Sequence, residues 1–498
     1  MLWLCIALPQ LPLEALCPQG IPPAAASIAR AQPSTDPAKS SREQAVLITA
    51  REGSTRWVIC CNEVAARANL EPGMNYNVAL ALHPTLIALE RKPAAEQAAL
   101  ERLAAWCYQF SSTVVVGEVP EELRRARTGR LWLEIGASLK LFGGLRPLIT
   151  RLEQGLESLG YTYSLGIGPT LEGAALLARA GIRVAITTPH ALYERIRNLP
   201  LSLLALDPQI ERDLHTVGVR TIGLALELPR EGVAKRFGPQ LGDFLDRLTG
   251  EAPDPRPVFQ LPPEYRGRID FEFEVRSTEA LLFPLRRLLH ELAGFLRARD
   301  TGVEQFEIKL AHRQGETSLR IGLASSDRNA ERFLVLAREK LERTDLPEAT
   351  LAIGLYADRF APPASLQPDM FDGSLQQSET LAHTLDRISA RLGAEQVHGV
   401  KVIADHRPEA SWAPAPPEGP RESLAFPDRP LWLLPDPKPL ELSAMPQITS
   451  GPERIEAGWW DQGEVRRDYY IVRTSTGADL WVFRDLKTQA WYLHGFWS

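Results

Sequence analysis

The chain has 498 residues, with 62 Asp and Glu against 56 Lys and Arg, so its formal net charge is -6. Apolar residues make up 44 % and charged residues 24 %, which is usual for a soluble globular protein. These figures exclude wholesale disorder and a disulfide scaffold, and the acidic balance excludes a strongly basic nucleic-acid-binding protein. No apolar run reaches the roughly 18–20 residues that span a bilayer, and the length is enough for about three to five domains.

The cysteines are odd in number, lie early in the chain and show no Cys-x-x-Cys spacing. This usage favours a reduced, cytoplasmic protein without a structural zinc site. The five are Cys5, Cys17, Cys60, Cys61 and Cys107.

Residues 1–199 have the pattern of a mixed α/β region. The apolar start Met1–Leu8 lacks the basic residues of a signal peptide and is followed by Pro9, so we interpret it as a buried strand. Residues 18–42, rich in Pro, Ala and Ser, predict a loop. Further strands are expected at 45–49, 57–60, 113–116, 131–135 and 163–168, and helices at 63–68, 94–110, 145–159 and 172–180. This mixture predicts a sheet covered by helices.

Residues 200–256 predict short helices separated by glycine and proline. The turn Gly218-Val-Arg-Thr-Ile-Gly223 lies between two of them, which is the pattern of a helix-hairpin-helix. Such a turn directs helix N-terminal amides outward, where a phosphate can accept hydrogen bonds from them. The alternative is a plain helical hairpin without a ligand.

Residues 262–358 predict a separate unit. Strict alternation in Arg268–Val275 indicates a strand with one apolar face. The order β-α-β-β-α-β predicts a four-stranded sheet backed by two helices. A polar loop at 362–378, a helix at 381–392 and a proline-dense extended linker at 408–446 follow, and 451–498 predicts a small β-module rich in Trp.

Taken in order, these segments resemble a Y-family translesion DNA polymerase. The strings that carry this resemblance are Cys61–Arg67 and Leu70–Met74 for the fingers, Ser138–Gly144 and Ser164–Gly168 for the palm, and Arg236–Gly238 with Arg256–Val258 for the end of the thumb. Three more strings resemble the ImuB family, the catalytically inactive polymerase-like subunits of bacterial mutasomes: Leu8–Leu16, Arg429–Leu434 and the ending from Gly451 to Gly495.

The resemblance implies an α+β multidomain fold. Its parts are a palm at 1–17 and 78–199, fingers at 18–77, a helix-hairpin-helix thumb at 200–258 and a βαββαβ little finger at 262–358. A clamp-binding loop, a helix and a Pro-rich linker occupy 359–450, and the C-terminal module occupies 451–498.

Active Y-family polymerases hold two divalent cations with palm carboxylates. The resemblance places these ligands near Ala7 and at Gly129 and Arg130, and neither Met1–Leu13 nor Leu123–Leu133 contains an acid. Glu134 lies roughly 13 Å from Arg130 along an extended strand. The resemblance therefore implies no catalytic residues, no metal and no cofactor. The alternative is an active distributive lesion-bypass polymerase with a displaced metal site.

The fingers positions that contact the triphosphate in active relatives are also changed. The Tyr and the Arg of those relatives fall on Glu63 and Ala66, although Arg67 is one residue away. A basic palm residue is retained at Arg179.

A polymerase fold without metals can still hold DNA. Candidate contacts are Gly218, Arg220, Gly223, Lys235 and Arg236, with solvated surface charge as the alternative for each side chain. Because acidic and basic residues balance in the little finger, we expect weak, salt-sensitive binding.

Gln367-Pro-Asp-Met-Phe371 resembles the pentapeptide with which bacterial polymerases bind the sliding clamp. Gln367 would form hydrogen bonds, and Met370 and Phe371 would enter an apolar pocket. The alternative is a chance match in which two apolar residues anchor a loop.

The C-terminal module resembles the part of ImuB proteins that meets their partners. Trp459, Trp460, Trp481 and Trp491 are the candidate contacts, or else the aromatic core that so small a module needs. By resemblance, the chain would link the sliding clamp, an ImuA-type RecA-like protein and an error-prone C-family DNA polymerase in SOS-induced translesion synthesis. No association with a membrane is expected.

Overall fold

The computed structural model describes residues 1–16, 44–120, 129–362, 384–417, 429–440, 447–461 and 463–497. The chain divides into two compact units, Met1–Arg391 and Leu392–Ser498. Among the described helices, none combines the length and apolar content that a membrane span requires.

A four-stranded antiparallel sheet forms the centre of the palm. Its order is β5-β6-β1-β7, with β1 at Trp3–Leu8, β5 at Val114–Val116, β6 at Gly129–Glu134 and β7 at Ser164–Gly168. β1 pairs with a strand on both sides, which explains why its residues are almost all buried and apolar. The strand predicted at the start of the chain is confirmed.

Helices cover both faces of this sheet. On one face, Leu4 and Ile6 pack against α4 (Pro93–Cys107) and α5 (Leu145–Leu159). On the other face, Cys5 and Ala7 pack against α6 (Leu171–Arg179). The short α1 (Leu11–Leu16) follows β1.

The fingers contain a second, smaller sheet. Its order is β3-β2-β4, with β2 at Val46–Glu52, β3 at Thr55–Cys61 and β4 at Ile87–Glu90; helices α2 (Glu63–Arg67) and α3 (Tyr76–Leu82) lie between β3 and β4. The sequence did not predict β4, because four residues are too few to show an alternation. Its parallel pairing with β2 carries this sheet to Glu90, past the boundary expected at residue 77.

Five helices form the thumb: α7 (Pro189–Ile196), α8 (Pro208–Thr216), α9 (Ile222–Leu226), α10 (Arg230–Phe237) and α11 (Pro239–Thr249). They share one apolar cluster with Leu176 and Leu177 of α6. The thumb core thus begins before residue 200, where the sequence placed its start, and it attaches to the helix that covers the Ala7 side of the palm sheet.

The little finger has the predicted βαββαβ order, which is confirmed. It comprises β8 (Tyr265–Val275), α12 (Thr278–Ala298), β9 (Gly302–Ala311), β10 (Glu316–Asp327), α13 (Ala330–Glu342) and β11 (Thr350–Ala357). The sheet order is β10-β9-β11-β8, every pair is antiparallel, and the short β12 (Phe360–Ala361) pairs with β9. A helix at 384–392 joins this unit through Asp386, which accepts a hydrogen bond from the Ala324 amide.

The second unit contains a hairpin and a five-stranded antiparallel sheet. The hairpin pairs β13 (Gly399–Val402) with β14 (Trp412–Ala415), and the sheet has the order β15-β19-β18-β17-β16. Its strands are β15 (Trp432–Pro439), β16 (Gln447–Ala457), β17 (Val465–Arg473), β18 (Asp479–Asp485) and β19 (Trp491–Phe496).

The expectation that 408–446 is only an extended linker is wrong, because β14 and β15 lie within it. β15 lies at the edge of the sheet, so one of its sides has no partner strand. Proline has no N–H group to donate, but on that open side no hydrogen bond between strands is lost. The β-module therefore begins before residue 451.

Candidate functional site

The three positions predicted to have lost metal ligands lie together at one end of the palm sheet. Ala7 pairs directly with Arg130, and Leu8 pairs with Gly129. Residues directly opposite in an antiparallel pair project from the same face of the sheet. We call this face, which carries Cys5, Ala7, Arg130 and Trp132, the Arg130 face.

Two guanidinium groups contact the Trp132 indole on the Arg130 face. Cζ of Arg130 lies 5.3 Å from the ring centroid and Cζ of Arg256 lies 4.7 Å from it, both within cation–π range. Arg256 is also bonded to Asp254, with Nη2 2.7 Å from Oδ2, and to Glu172. Among the described residues, Arg130 has no carboxylate partner. No local pattern in the sequence indicated the Arg256 contact, because Arg256 lies far from Trp132 along the chain.

Two carboxylates that neighbour this face, those of Glu134 and Glu172, are already engaged. Glu134 Oε1 accepts hydrogen bonds from the amides of Leu2 (2.9 Å) and Gly136 (3.1 Å), and Oε2 accepts one from Ala137 (3.3 Å). Glu172 is paired with Arg256. In the described part of the chain, no three His, Cys, Asp or Glu side chains come together as a metal site would require. The residues of the Arg130 face do not fit two divalent cations, which need several oxygen ligands.

Cys5 is the one residue of nucleophilic type among the four that define the Arg130 face, and it is fully buried. Burial raises the pKa of its thiol to about 12, although the nearby Arg130 acts in the opposite direction. A thiol that stays protonated at neutral pH is a poor nucleophile. This face therefore offers a cation rather than a reactive group.

The sequence analysis expected free amides at the thumb hairpin, but the amides of its two glycines are engaged. Gly218 has φ +88°, which supports the turn, but its N–H donates to His215 O at 3.0 Å. The Gly223 N–H donates to Arg197 O at 2.8 Å, and the Ile222 N–H donates to Leu199 O at 3.0 Å. The backbone donors of both glycines are used within the thumb, so neither glycine amide is available to a phosphate.

The three thumb cations predicted as DNA contacts are exposed and are not engaged by any described carboxylate: Arg220, Lys235 and Arg236. They differ from Arg230 of the same domain, which is paired with Asp246. The buried neighbours Val219 and Val233 pack in one cluster, which brings the hairpin and α10 into the same small domain. These three cations are therefore available to contact phosphates.

The arginine of the fingers helix α2 is paired with a carboxylate of the same helix. Arg67 is paired with Glu63 at 3.1 Å in an exposed i, i+4 contact, and Ala66 between them is exposed. Glu63, which the resemblance aligns with the Tyr of active relatives, thus pairs with Arg67. Arg67 is next to Ala66, which the resemblance aligns with their Arg.

The clamp-binding prediction lies outside the described residues, because Gln367, Met370 and Phe371 fall within 363–383. The structure neither supports nor opposes this prediction.

The four tryptophans predicted as partner contacts have different environments. Trp481 is 2 % exposed and stacks on Tyr469 at 4.2 Å, so it is a core residue and that prediction is corrected. A large indole fills the small core that five short strands leave. Trp459 and Trp460 are 72 % and 58 % exposed and meet edge to face at 4.6 Å. Trp491 is half-buried, 5.3 Å from the ring of Tyr470.

Comparisons of the sequence identify relatives over most of its length. Protein ImuB of Caulobacter vibrioides is 29 % identical over 465 residues, which cover 86 % of this chain and 100 % of that protein. DNA polymerase IV of Moorella thermoacetica is 26 % identical over 286 residues, which cover 54 % of this chain and 68 % of that protein. The model of the impB/mucB/samB family matches residues 28–179.

Among solved structures, DinB from Sulfolobus solfataricus matches with a TM-score of 0.38 and 12 % identity, over 73 % of this chain and 100 % of that one. The insertion ternary complex of Dbh DNA polymerase matches with a TM-score of 0.39 and 12 % identity, over 72 % and 98 %. Scores this low carry no argument. The chain is thus similar to Protein ImuB over most of its length, and its residues 28–179 match the impB/mucB/samB family.

Proposed function

We propose that this protein is a non-catalytic, polymerase-like adaptor in SOS-induced translesion DNA synthesis. It holds damaged DNA and links the sliding clamp to an error-prone C-family polymerase and an ImuA-type RecA-like partner. The observation that carries the non-catalytic part is the pairing of Ala7 with Arg130, where the family resemblance expects metal ligands.

The electrostatics of the Arg130 face support this proposal. At about 4 Å and an effective dielectric near 20, two unit charges interact by roughly 4 kcal/mol. A carboxylate attracts a divalent cation with an energy of that order, whereas Arg130 repels it. Glu134 does not compensate, because three backbone amides hold its carboxylate.

A primer-extension assay with Mg²⁺ or Mn²⁺ separates the adaptor from the alternative, an active distributive lesion-bypass polymerase. We expect no added nucleotide on undamaged or lesion-containing templates, with an active Y-family polymerase as the parallel control. Extension that persists after removal of contaminating polymerases would establish the alternative.

DNA binding is the second part of the proposal and depends on the thumb. Arg220, Lys235 and Arg236 are exposed cations without a described carboxylate partner, so their side chains are available to contact DNA phosphates. Replacement of all three by Ala should weaken binding to primer–template DNA and flatten its salt dependence. The log–log slope should fall by about 0.7–0.9 for each phosphate that is no longer neutralised.

Arg212→Ala is the matched control for that experiment, because Arg212 already donates to Pro208 O and Gln209 within its own helix. Fluorescence anisotropy at low and moderate salt measures both effects. An unchanged slope in the triple variant would remove the thumb from the DNA interface.

The clamp contact is proposed from the sequence of 367–371. Replacement of Gln367, Met370 and Phe371 by Ala should abolish retention on immobilised sliding clamp, since these residues supply the hydrogen bond and the apolar anchor. Gln376→Ala with Gln377→Ala is the matched control in the same segment. Full retention of the triple variant would discard the site.

Trp459 and Trp460 are the partner contacts that we retain, with Trp491 as a half-buried candidate. An exposed aromatic pair is typical of a binding hot spot. Trp459→Ala with Trp460→Ala should reduce capture of the C-family polymerase or the ImuA-type protein. Trp412→Ala, at an exposed Trp of the hairpin, should not.

A further inference from the structure

Helix α12 of the little finger is buried around most of its circumference. Twelve of its 21 residues are buried, among them the charged Arg287 and Glu291. A helix buried all round lies between two packed layers rather than on a surface. Leu285, Leu288 and Phe295 pack in the apolar core of the little finger, which is one of these layers.

The opposite side of α12 meets the palm. Arg287, Glu291 and Gly294 follow one another at i, i+4 and i+7 and so share one helical face. All three contact palm residues. A face that combines two charges and a glycine has a specific partner surface, because unpaired charges are rarely buried.

Arg287 binds the ends of two palm helices. Its Nε donates to Leu159 O at 2.7 Å, Nη2 donates to Gly160 O at 3.2 Å, and Nη1 donates to Glu14 O at 2.7 Å. Leu159 and Gly160 end α5, and Glu14 belongs to α1. Carbonyls at a helix C-terminus lack intrahelical donors and carry partial negative charge, so a buried guanidinium satisfies them well.

Glu291 and Gly294 complete the contact. Glu291, fully buried, accepts a hydrogen bond from Arg102 Nε of α4 at 3.0 Å. A Cβ atom on Gly294 would lie 2.0 Å from Cδ1 of Trp106, and one on Gly155 of α5 would lie 2.2 Å from its Cζ2. The Trp106 indole is therefore held between glycines of a palm helix and of the little finger.

This contact lies on one side of the palm only. α4 and α5 cover the Leu4 and Ile6 face of the palm sheet, whereas Ala7 and Arg130 lie on the other face. The thumb attaches to α6, which covers the Arg130 face. Thumb and little finger thus attach to opposite faces of the palm sheet.

The outward face of the little-finger sheet is also balanced in charge. Arg268 pairs with Asp270 at 2.8 Å, Lys309 pairs with Glu316 at 3.3 Å, and Arg320 pairs with Glu307 at 3.5 Å. Cations that are already paired with carboxylates neutralise few DNA phosphates. Such a surface therefore gains little DNA affinity from the release of counterions.

We propose that palm and little finger form one rigid body in this protein, and that DNA is held by the thumb and the α6 side of the palm without the little finger. The second half rests on the proposed DNA binding. The first half rests on the Arg287, Glu291 and Trp106 contacts alone.

A covalent link across the contact tests both halves. Lys92 of the palm and Glu272 of the little finger form an ion pair of 2.5 Å at its rim. In a Cys17→Ser background, Lys92→Cys with Glu272→Cys should be joined nearly quantitatively by a short bis-maleimide. DNA affinity should change by less than twofold on linking, and the two single-cysteine variants control for modification itself. Poor linking, or a tenfold loss of affinity once linked, would overturn the proposal.

Hydrogen exchange of Arg287→Ala separates failure of this proposal from failure of the proposed function. Exchange should rise together in α12 and at the C-terminal end of α5, since both lose the same guanidinium. Arg286→Ala is the matched control, because Arg286 is exposed and contacts only Glu331 among described carboxylates. Increased exchange in α12 alone would refute the rigid body, whatever the wild-type protein does with DNA.

Discussion

Arg287 is a buried cation whose hydrogen bonds all go to backbone carbonyls. It is 4 % exposed, and its Cζ also lies 4.4 Å from the Tyr161 ring centroid. Without the guanidinium, three buried carbonyls would lack a donor. Buried polar groups without partners are expensive, which makes this residue a sensitive test of the palm contact.

Arg287→Ala should lower the free energy of unfolding of the first unit by about 3 kcal/mol or more, because each orphaned buried group costs roughly 1–3 kcal/mol. Arg286→Ala, at the exposed neighbour, should change it by less than about 0.5 kcal/mol. Urea unfolding measures both. Equal effects of the two substitutions would contradict the buried network.

His494 makes the stability of the second unit depend on pH. It is fully buried, its Nδ1 lies 2.8 Å from Tyr469 Oη, and its ring stacks on Trp481. Burial lowers its pKa from 6.5 to about 4; Glu409 acts in the opposite direction, and Arg467 adds to the lowering. The folded state therefore resists protonation of His494 where the unfolded chain accepts it.

The pKa of His494 is lower in the folded state than in the unfolded chain, so at a pH between the two values the unfolded state binds more protons. The second unit should therefore lose stability as the pH falls from about 6.5. His494→Gln should remove the part of this slope between about pH 6.5 and 5, above the range where carboxylates titrate. His398→Gln, at an exposed histidine, should retain it. Hydrogen exchange in β17–β19, corrected for intrinsic rates, measures the slope. A slope that survives in His494→Gln would contradict this assignment.

At the level of elements, close approach of backbones explains several glycines. Gly166 of β7 lies under α6, where a Cβ atom would be 2.2 Å from both Ala174 O and Ala178 N. Backbone atoms cannot move aside as side chains can. Gly242 in α11 has no atom within 4 Å of its Cβ position.

Gly166→Ala should destabilise the first unit by about 1–3 kcal/mol, because it forces α6 away from the palm sheet. Gly242→Ala should instead stabilise it by about 0.5–1 kcal/mol, since alanine favours a helix interior. Chemical denaturation of the full chain measures the pair. Tolerance of Ala at 166 would mean that α6 does not pack so closely on β7.

For the whole molecule, the division into Met1–Arg391 and Leu392–Ser498 predicts two unfolding events. Each unit has its own apolar clusters, so stability should be set locally. Arg287→Ala should shift only one calorimetric transition and His494→Gln only the other. A single transition that responds to both substitutions would show that the units unfold as one.

Much of this architecture was predictable from local pattern. Strict alternation in Arg268–Val275 and the helical spacing of 278–297 and 330–341 were enough for the little finger, because burial on one face leaves a period in the sequence. β4 and β15 were missed, the first because it is very short and the second because its prolines argue against a strand. The positions of Ala7 and Arg130 were inferred from resemblance, and their pairing came from the sheet register.

The sequence by itself determined the resemblance to Y-family polymerases, most of the elements in their order and the lack of acidic residues in Met1–Leu13 and Leu123–Leu133, since these depend on residue identity and local spacing. The tertiary structure decided which tryptophans are core, where the hairpin amides donate, and that Arg287 and Glu291 bind the palm. These properties depend on contacts between residues far apart in the chain, and a buried charge on a helix looks the same in the sequence as an exposed one until its partner is known.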